Sequence, residues 1–190
     1  MVDLIIIGAG PGGYEAALYA GRKGKKVILV EKENIGGTCL NVGCIPTKTL
    51  LHSAKIYTEA KEAHKFGINL KDPVFDISAV VKRKNKIVGQ LTRGVEASLK
   101  AAKVEIVRGE AKIVSKGKVA VDGKTYEASH ILISTGSRPA KPPIPGADSA
   151  FVMDSTGILN IESIPETLTI IGGGVIGIEL ASLFSSIGTK

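Results

Sequence analysis

The sequence predicts an α/β fold: a central parallel sheet with helices, an inserted β-meander, and the start of a second unit of the same kind. Three observations predict it. An apolar run, a glycine turn, an Ala-rich stretch and a second apolar run fill the first 31 residues. Short strand-like segments crowd between 104 and 134, and a second glycine turn at 172–177 repeats the pattern of the first.

Composition sets the bounds. A chain of 190 residues with 44% hydrophobic content, 23 glycines and 4% aromatics suits an α/β protein with tight turns, large enough for one domain and part of another. No apolar run approaches the roughly 20 residues that span a bilayer. Met1 directly precedes a strand-like run, so the expectation is a cytoplasmic protein with neither a cleavable leader nor a membrane anchor. The formal charge of +7 is concentrated in 22–26 and 82–86. These clusters lack interleaved aromatics and any nucleic-acid module, so a solvated basic face is expected ahead of an anionic partner.

Val2-Asp3-Leu4-Ile5-Ile6-Ile7 reads as the first strand. Gly8-x-Gly10-x-x-Gly13 breaks it, residues 14–23 favour helix, and Gly24 is a C-terminal stop. Val27-Ile28-Leu29-Val30, uninterrupted by polar residues, suits a parallel strand buried on both faces. Gly8 permits the sharp turn, Gly10 lets backbone approach a pyrophosphate, and Gly13 lets helix pack on strand. Helix N-terminal N–H groups then face the phosphates. Glu31 follows Gly13 by 18 residues, where an acid reads ribose hydroxyls. Strand, helix and acid together point to a Rossmann-like dinucleotide site rather than a structural turn. The lack of a Gly-Lys-Ser/Thr ending excludes a P-loop.

Residues 47–65 are expected to be helical. Asp76 is expected to cap a long helix reaching about 103, with Ile77, Val80, Val81, Ile87, Val88, Leu91, Val95 and Leu99 at helical spacing. Five short strands follow, at 104–108, 111–114, 119–121, 126–128 and 131–134, with turns at Lys116-Gly117 and Asp122-Gly123-Lys124. The proline-rich stretch from Lys141 to Gly146 reads as a connector. Thr167-Leu168-Thr169-Ile170-Ile171 is expected to be a strand, and the fingerprint from Gly172 to Glu179 opens a helix. The expected division is therefore 1–140, 141–166 and 167–190.

Between the first unit and the long helix lies Gly36-Gly37-Thr38-Cys39-Leu40-Asn41-Val42-Gly43-Cys44-Ile45-Pro46-Thr47-Lys48, which holds both cysteines. In a regular helix their Cα atoms would stand about 8–9 Å apart. A disulfide needs less than about 7 Å, so pairing requires a distorted segment, which Gly43 and Pro46 favour. Two unreactive thiols remain the alternative. Zinc is disfavoured, since His52, His64 and His130 show no ligand spacing and a structural site needs four ligands; no metal is expected.

The cysteine stretch resembles the active-site motif of the flavin disulfide reductases, most closely the dihydrolipoamide dehydrogenases. The two glycine fingerprints, Glu31 and Thr135-Gly136-Ser137 fall in the same order, and the resemblance covers essentially the whole chain. It implies an FAD-binding domain in 1–140 and the start of an NAD-binding domain at 167–190. It implies that Cys44 faces the flavin and that Cys39 exchanges with the substrate disulfide. Lys48 would lie near the flavin ring. Gly8, Gly10, Pro11, Gly12, Gly13, Glu31, Lys32, Gly37, Thr38, Ala111, Thr135, Gly136 and Ser137 would complete the FAD site. Gly172, Gly174, Val175, Ile176, Gly177 and Glu179 would begin the NAD site.

The implied reaction is NAD-dependent oxidation of dihydrolipoamide carried on lipoyl domains of 2-oxoacid dehydrogenase or glycine cleavage complexes. The implied full-length assembly is a homodimer, with neither nucleic acid nor membrane as partner. Members are more than twice as long, and the His–Glu acid/base pair lies in the further part. This chain alone is therefore expected not to turn over lipoamide and to hold FAD weakly or not at all. Alternatives are a related reductase of glutathione, mercury or another thiol substrate, and a flavin-binding module without catalysis. A basic nucleic-acid binder, whose affinity would fall steeply with salt, is the weakest reading.

Overall fold

The computed structural model describes residues 1–190. It forms two compact units, Met1–Asn41 with Gly89–Arg138, and Val42–Val88 with Pro139–Lys190. This differs from the linear division expected. The helix that Cys44 opens groups with the C-terminal residues, because the apolar helix near the C-terminus packs on it.

In the first unit, strand β1 (Val2–Ile7), helix α1 (Pro11–Arg22) and strand β2 (Val27–Glu31) form the expected βαβ unit. Pro11 takes the first helical turn, where its missing N–H costs nothing, so α1 starts earlier than residue 14. After α2 (Gly37–Val42) and the distal part of helix α4 (Ile77–Ala101) come β3 (Glu105–Arg108), β4 (Ala111–Ser115), β5 (Lys118–Val121) and β6 (Lys124–Ile133). The six-stranded order is β3-β2-β1-β6-β5-β4. The β1–β2, β1–β6 and β2–β3 pairs are parallel, and the two meander pairs are antiparallel.

The segments expected as separate strands at 126–128 and 131–134 are one strand. The first half of β6 pairs with β5 and its second half pairs with β1. No turn residue interrupts Tyr126 to Ile133, so the chain passes from the meander into the parallel sheet without stopping.

Side-chain alternation assigns the two faces. Ile6 and Leu29 share a cluster with Ala17 and Leu18 of α1 and Leu99 of α4. Their neighbours Ile5, Ile28 and Val30 point the other way, onto Val119, Val121 and Ala128 of the meander. Burial on both sides explains why every residue of β2 is buried.

In the second unit, α3 (Cys44–Glu62) packs against α5 (Val175–Ser186). Leu50 and Ala54 meet Leu180, Leu183 and Phe184, together with Ile158 and Leu159 of a 3₁₀ turn at Gly157–Asn160. Helix α3 begins at Cys44 rather than 47, since Pro46 is tolerated in the first turn. Asp76 caps α4 as expected, accepting the Ala79 N–H at 3.0 Å. The expected strand at 167–171 does not form. Its pairing is confined to Leu168 N–H on the Lys190 carbonyl and Lys190 N–H on the Glu166 carbonyl, too few bonds for a ladder. No helix is long and apolar enough to cross a membrane.

Candidate functional site

The first glycine turn is built by contact rather than by flexibility alone. Gly8 has φ +99°, and a side chain there would overlap the Ser134 carbonyl. A Cβ on Gly13 would overlap the Gly8 carbonyl oxygen. Gly10 differs: a Cβ there would make one ordinary contact, with the Gly37 Cα at 3.8 Å, and overlap nothing. Gly12 and Pro11 are exposed at the start of α1, and a Cβ on Gly12 would meet the Ser134 hydroxyl at 3.0 Å. Thr135, Gly136 and Ser137 are exposed immediately beyond β6, whose end is tied to β1 by Ser134 N–H on the Ile7 carbonyl. Ser134 is a site neighbour that the sequence reading missed, having been counted only as the end of a strand.

Glu31 ends β2 with its side chain turned inward. One carboxylate oxygen, Oε2, accepts the Ala9 N–H at 2.7 Å, and Oε1 accepts the Glu33 N–H at 2.8 Å. The residue is 9% exposed. Each oxygen keeps a lone pair, so the carboxylate can still accept from a hydroxyl. Beside it, Lys32 pairs with Glu110 at 3.1 Å. Gly109 N–H donates to the Glu31 carbonyl, and Ala111 follows two residues later at the start of β4. Gly8, Gly10, Glu31, Ala111 and Thr135 thus lie along one end of the sheet, where ligands of open α/β folds collect.

The cysteine motif is broken where the spacing requires. Helix α2 carries Cys39, partly buried, and Asn41 braces its start by donating to the Ile35 and Gly37 carbonyls at 3.0 and 2.9 Å. Gly37 itself has φ +57° and lies against Gly10, while Thr38 is exposed. Gly43, at φ −137° and ψ −112°, stops the helix, and α3 restarts at Cys44. Cys44 is an exposed thiol.

Tyr14, on α1, was not singled out in the sequence. Burial raises its phenol above the usual range, and the negative charges of Glu15 and Cys39 add to that rise.

Lys48, on α3, pairs with the carboxylate of Glu179 on α5. The sequence reading placed these two residues in different sites, and the fold joins them. Gly172 has φ +112°, and a Cβ on Gly177 would overlap its carbonyl, as Gly13 does with Gly8. Gly174, Val175 and Ile176 are exposed at the start of α5. A shallow cavity of about 210 Å³ is lined by Ile170, Gly172, Gly173, Gly177, Ile178 and Ala181.

Comparison with known proteins adds a second line of argument. A family model described as pyridine nucleotide-disulphide oxidoreductase matches residues 2–190. A protein from Mycoplasma pneumoniae named dihydrolipoyl dehydrogenase is 49% identical over 193 aligned positions, covering 99% of this chain and 42% of that protein. One of the same name from Acholeplasma laidlawii is 46% identical, covering 99% of this chain and 57% of that protein. Among solved structures, the HOCl-induced flavoprotein disulfide reductase RclA from Escherichia coli superposes with a TM-score of 0.85 at 35% identity, covering 99% of this chain and 40% of that one. The chain spans about half the length of these relatives or less.

Proposed function

Since the chain belongs to the pyridine nucleotide-disulphide oxidoreductase family, we propose that it carries the FAD-binding and redox-cysteine elements of a dihydrolipoamide dehydrogenase. The observation that carries the reading is the helix break at Gly43, with Cys39 on the helix before it and Cys44 opening the helix after it. The names borne by relatives at 46–49% identity support the lipoamide assignment over other thiol substrates.

Oxidation of dihydrolipoamide by thiol–disulfide exchange breaks the Cys39–Cys44 disulfide and forms the disulfide of lipoamide. Two electrons and two protons pass to the protein thiols. Cys39 is the exchanging sulfur and Cys44 its partner. FAD, when bound, supplies two-electron acceptance from that dithiol and delivery to NAD.

The residues fit an adenine dinucleotide. The bare backbone of Gly10, where a side chain would overlap nothing, lets a pyrophosphate approach at the start of α1. The Glu31 carboxylate retains acceptor capacity for a ribose. Gly8, Pro11, Gly12, Gly13, Lys32, Gly37, Thr38, Ala111 and residues 135–137 complete that site. Lys48 places a cation by the flavin ring and Glu179 balances its charge. Gly172, Gly174, Val175, Ile176 and Gly177 hold NAD, supported by the repeat of the Gly8–Gly13 geometry. Lipoyl-bearing complexes as partners, a homodimer and a cytoplasmic setting belong to the same reading.

The test is peptide mapping by mass spectrometry after mild oxidation. One peptide carrying both cysteines is expected two hydrogens lighter than its dithiol form and resistant to alkylation, with both cysteines alkylated after reduction. Full alkylation without reduction would refute the redox assignment.

A further inference from the structure

A cation from the end of β3 and one from the chain beyond β6 converge on one exposed residue beside Glu31. Glu33 donates its backbone N–H to Glu31 Oε1 at 2.8 Å. Its carbonyl accepts from Arg108 Nη1 at 3.1 Å, and its own Oε1 accepts from Arg138 Nη2 at 2.7 Å. Arg108 closes β3, in register with Glu31. Arg138 follows the turn after β6, and β6 lies on the far side of β1 from β2. The Glu33–Arg138 pair therefore links the chain beyond β2 to the chain beyond β6, the two strands that flank β1.

An exposed ion pair is worth little in stability, about 0–1 kcal/mol. With side chains 74% and 62% exposed, this one is poorly placed to hold the fold. Its position gives it another use. The 32–34 segment has an exposed side chain at each position, and Glu33 is held from both sides at the point where it donates to the Glu31 carboxylate.

We propose that Arg108 and Arg138 clamp Glu33 so that its N–H fixes the Glu31 carboxylate for the ribose diol of an adenine dinucleotide. Glu33 is thereby a positioning residue, and the Glu33–Arg138 pair is a strap across the adenosine end of the site. This rests on the reading of the glycine turn as the FAD site.

The experiment compares the wild-type chain with Arg138→Gln, Glu33→Gln and Arg138→Lys, titrating FAD and FMN by fluorescence quenching. FMN lacks the adenosine half. Arg138→Gln and Glu33→Gln are expected to raise the Kd for FAD about 2–5-fold with FMN binding unchanged, and Arg138→Lys to recover part of the loss. In about 1 M NaCl, where the screening length is about 3 Å, wild type is expected to fall to the variants' affinity. Amide exchange in the ligand-free chain supplies a second readout. The Ala9 and Glu33 N–H groups are expected to exchange several-fold faster in Arg138→Gln, with the urea midpoint unchanged. Wild type binding FMN measurably and as tightly as FAD would overturn the FAD reading and this inference with it, and unaltered Ala9 and Glu33 exchange in Arg138→Gln would overturn the inference whatever the chain's FAD affinity. Wild type binding FAD while the variants match it, or equal losses for FAD and FMN, would overturn the inference alone.

Discussion

Lys48 Nζ is bonded to the carboxylate of Glu179, joining the helix that Cys44 opens to the helix that follows the second glycine turn. The two residues lie 131 positions apart in the chain. Their pairing, with the Leu50–Leu183 cluster beneath it, ties the cysteine-bearing helix to α5.

Because the Lys48 side chain is 60% exposed and that of Glu179 is 25% exposed, screening limits the strength of the pair. Lys48→Met and Glu179→Gln are each expected to cost no more than about 1 kcal/mol, with a coupling of about 0.5 kcal/mol in a double-mutant cycle. Urea unfolding at low and high salt checks this, and the coupling should shrink as salt rises.

The glycines of the first turn differ in what a side chain would meet. Gly13→Ala must push the Gly8 carbonyl aside and is expected to cost about 1–3 kcal/mol. Gly10→Ala meets no atom closer than 3.8 Å and should change stability by less than about 0.5 kcal/mol while weakening FAD binding. Paired thermal melts and flavin titrations distinguish them. Equal destabilisation by both substitutions would contradict the assignment.

Lys84 is 3% exposed, donating to the Leu159 carbonyl at 2.8 Å and to Asn160 Oδ1 at 2.6 Å. Burial holds its ammonium below the ordinary lysine value. The folded chain then binds this proton less tightly than the unfolded chain does. Stability is flat well below the lowered value and rises with pH from there up to the unfolded value near 10.4. Lys84→Met is expected to remove that rise and, at neutral pH, to cost about 1–3 kcal/mol by stranding two acceptors. Urea midpoints measured between pH 7 and 11 report both effects.

Tyr14 is coupled to Cys39. Since the negative charge of Cys39 contributes to raising its phenol, Cys39→Ser is expected to move that ionisation back toward the ordinary value. Carbon-13 tyrosine spectra across alkaline pH would show it. An unmoved Tyr14 curve would mean that the two groups do not interact.

Much of this was legible in the sequence, for physical reasons. An apolar run such as 27–30 can be satisfied in few ways besides a strand buried on both faces, and Gly43 between two cysteines announces a helix break. The residues invisible in the sequence act through the fold. Ser134 matters because β6 ends against Gly8. Glu33 matters because the end of β3 and the chain beyond β6 each bring an arginine to it. Glu179 was assigned by its fingerprint to a nucleotide site, and only the packing of α3 on α5 reveals its bond to Lys48. Residues 167–171 have a strand's composition, but composition alone does not supply a ladder, and the backbone bond they make outside helices and strands is from Leu168 to Lys190.

The central claim is that Cys39 and Cys44 form one two-electron couple. The most direct measurement is to mix the fully reduced chain with oxidised lipoamide and count protein thiols by alkylation and mass. The account predicts that both cysteines leave the thiol pool together, with one dihydrolipoamide formed per chain and no change in a Cys39→Ser variant. Two thiols persisting in the wild-type chain, at lipoamide excess and equilibrium, would contradict it.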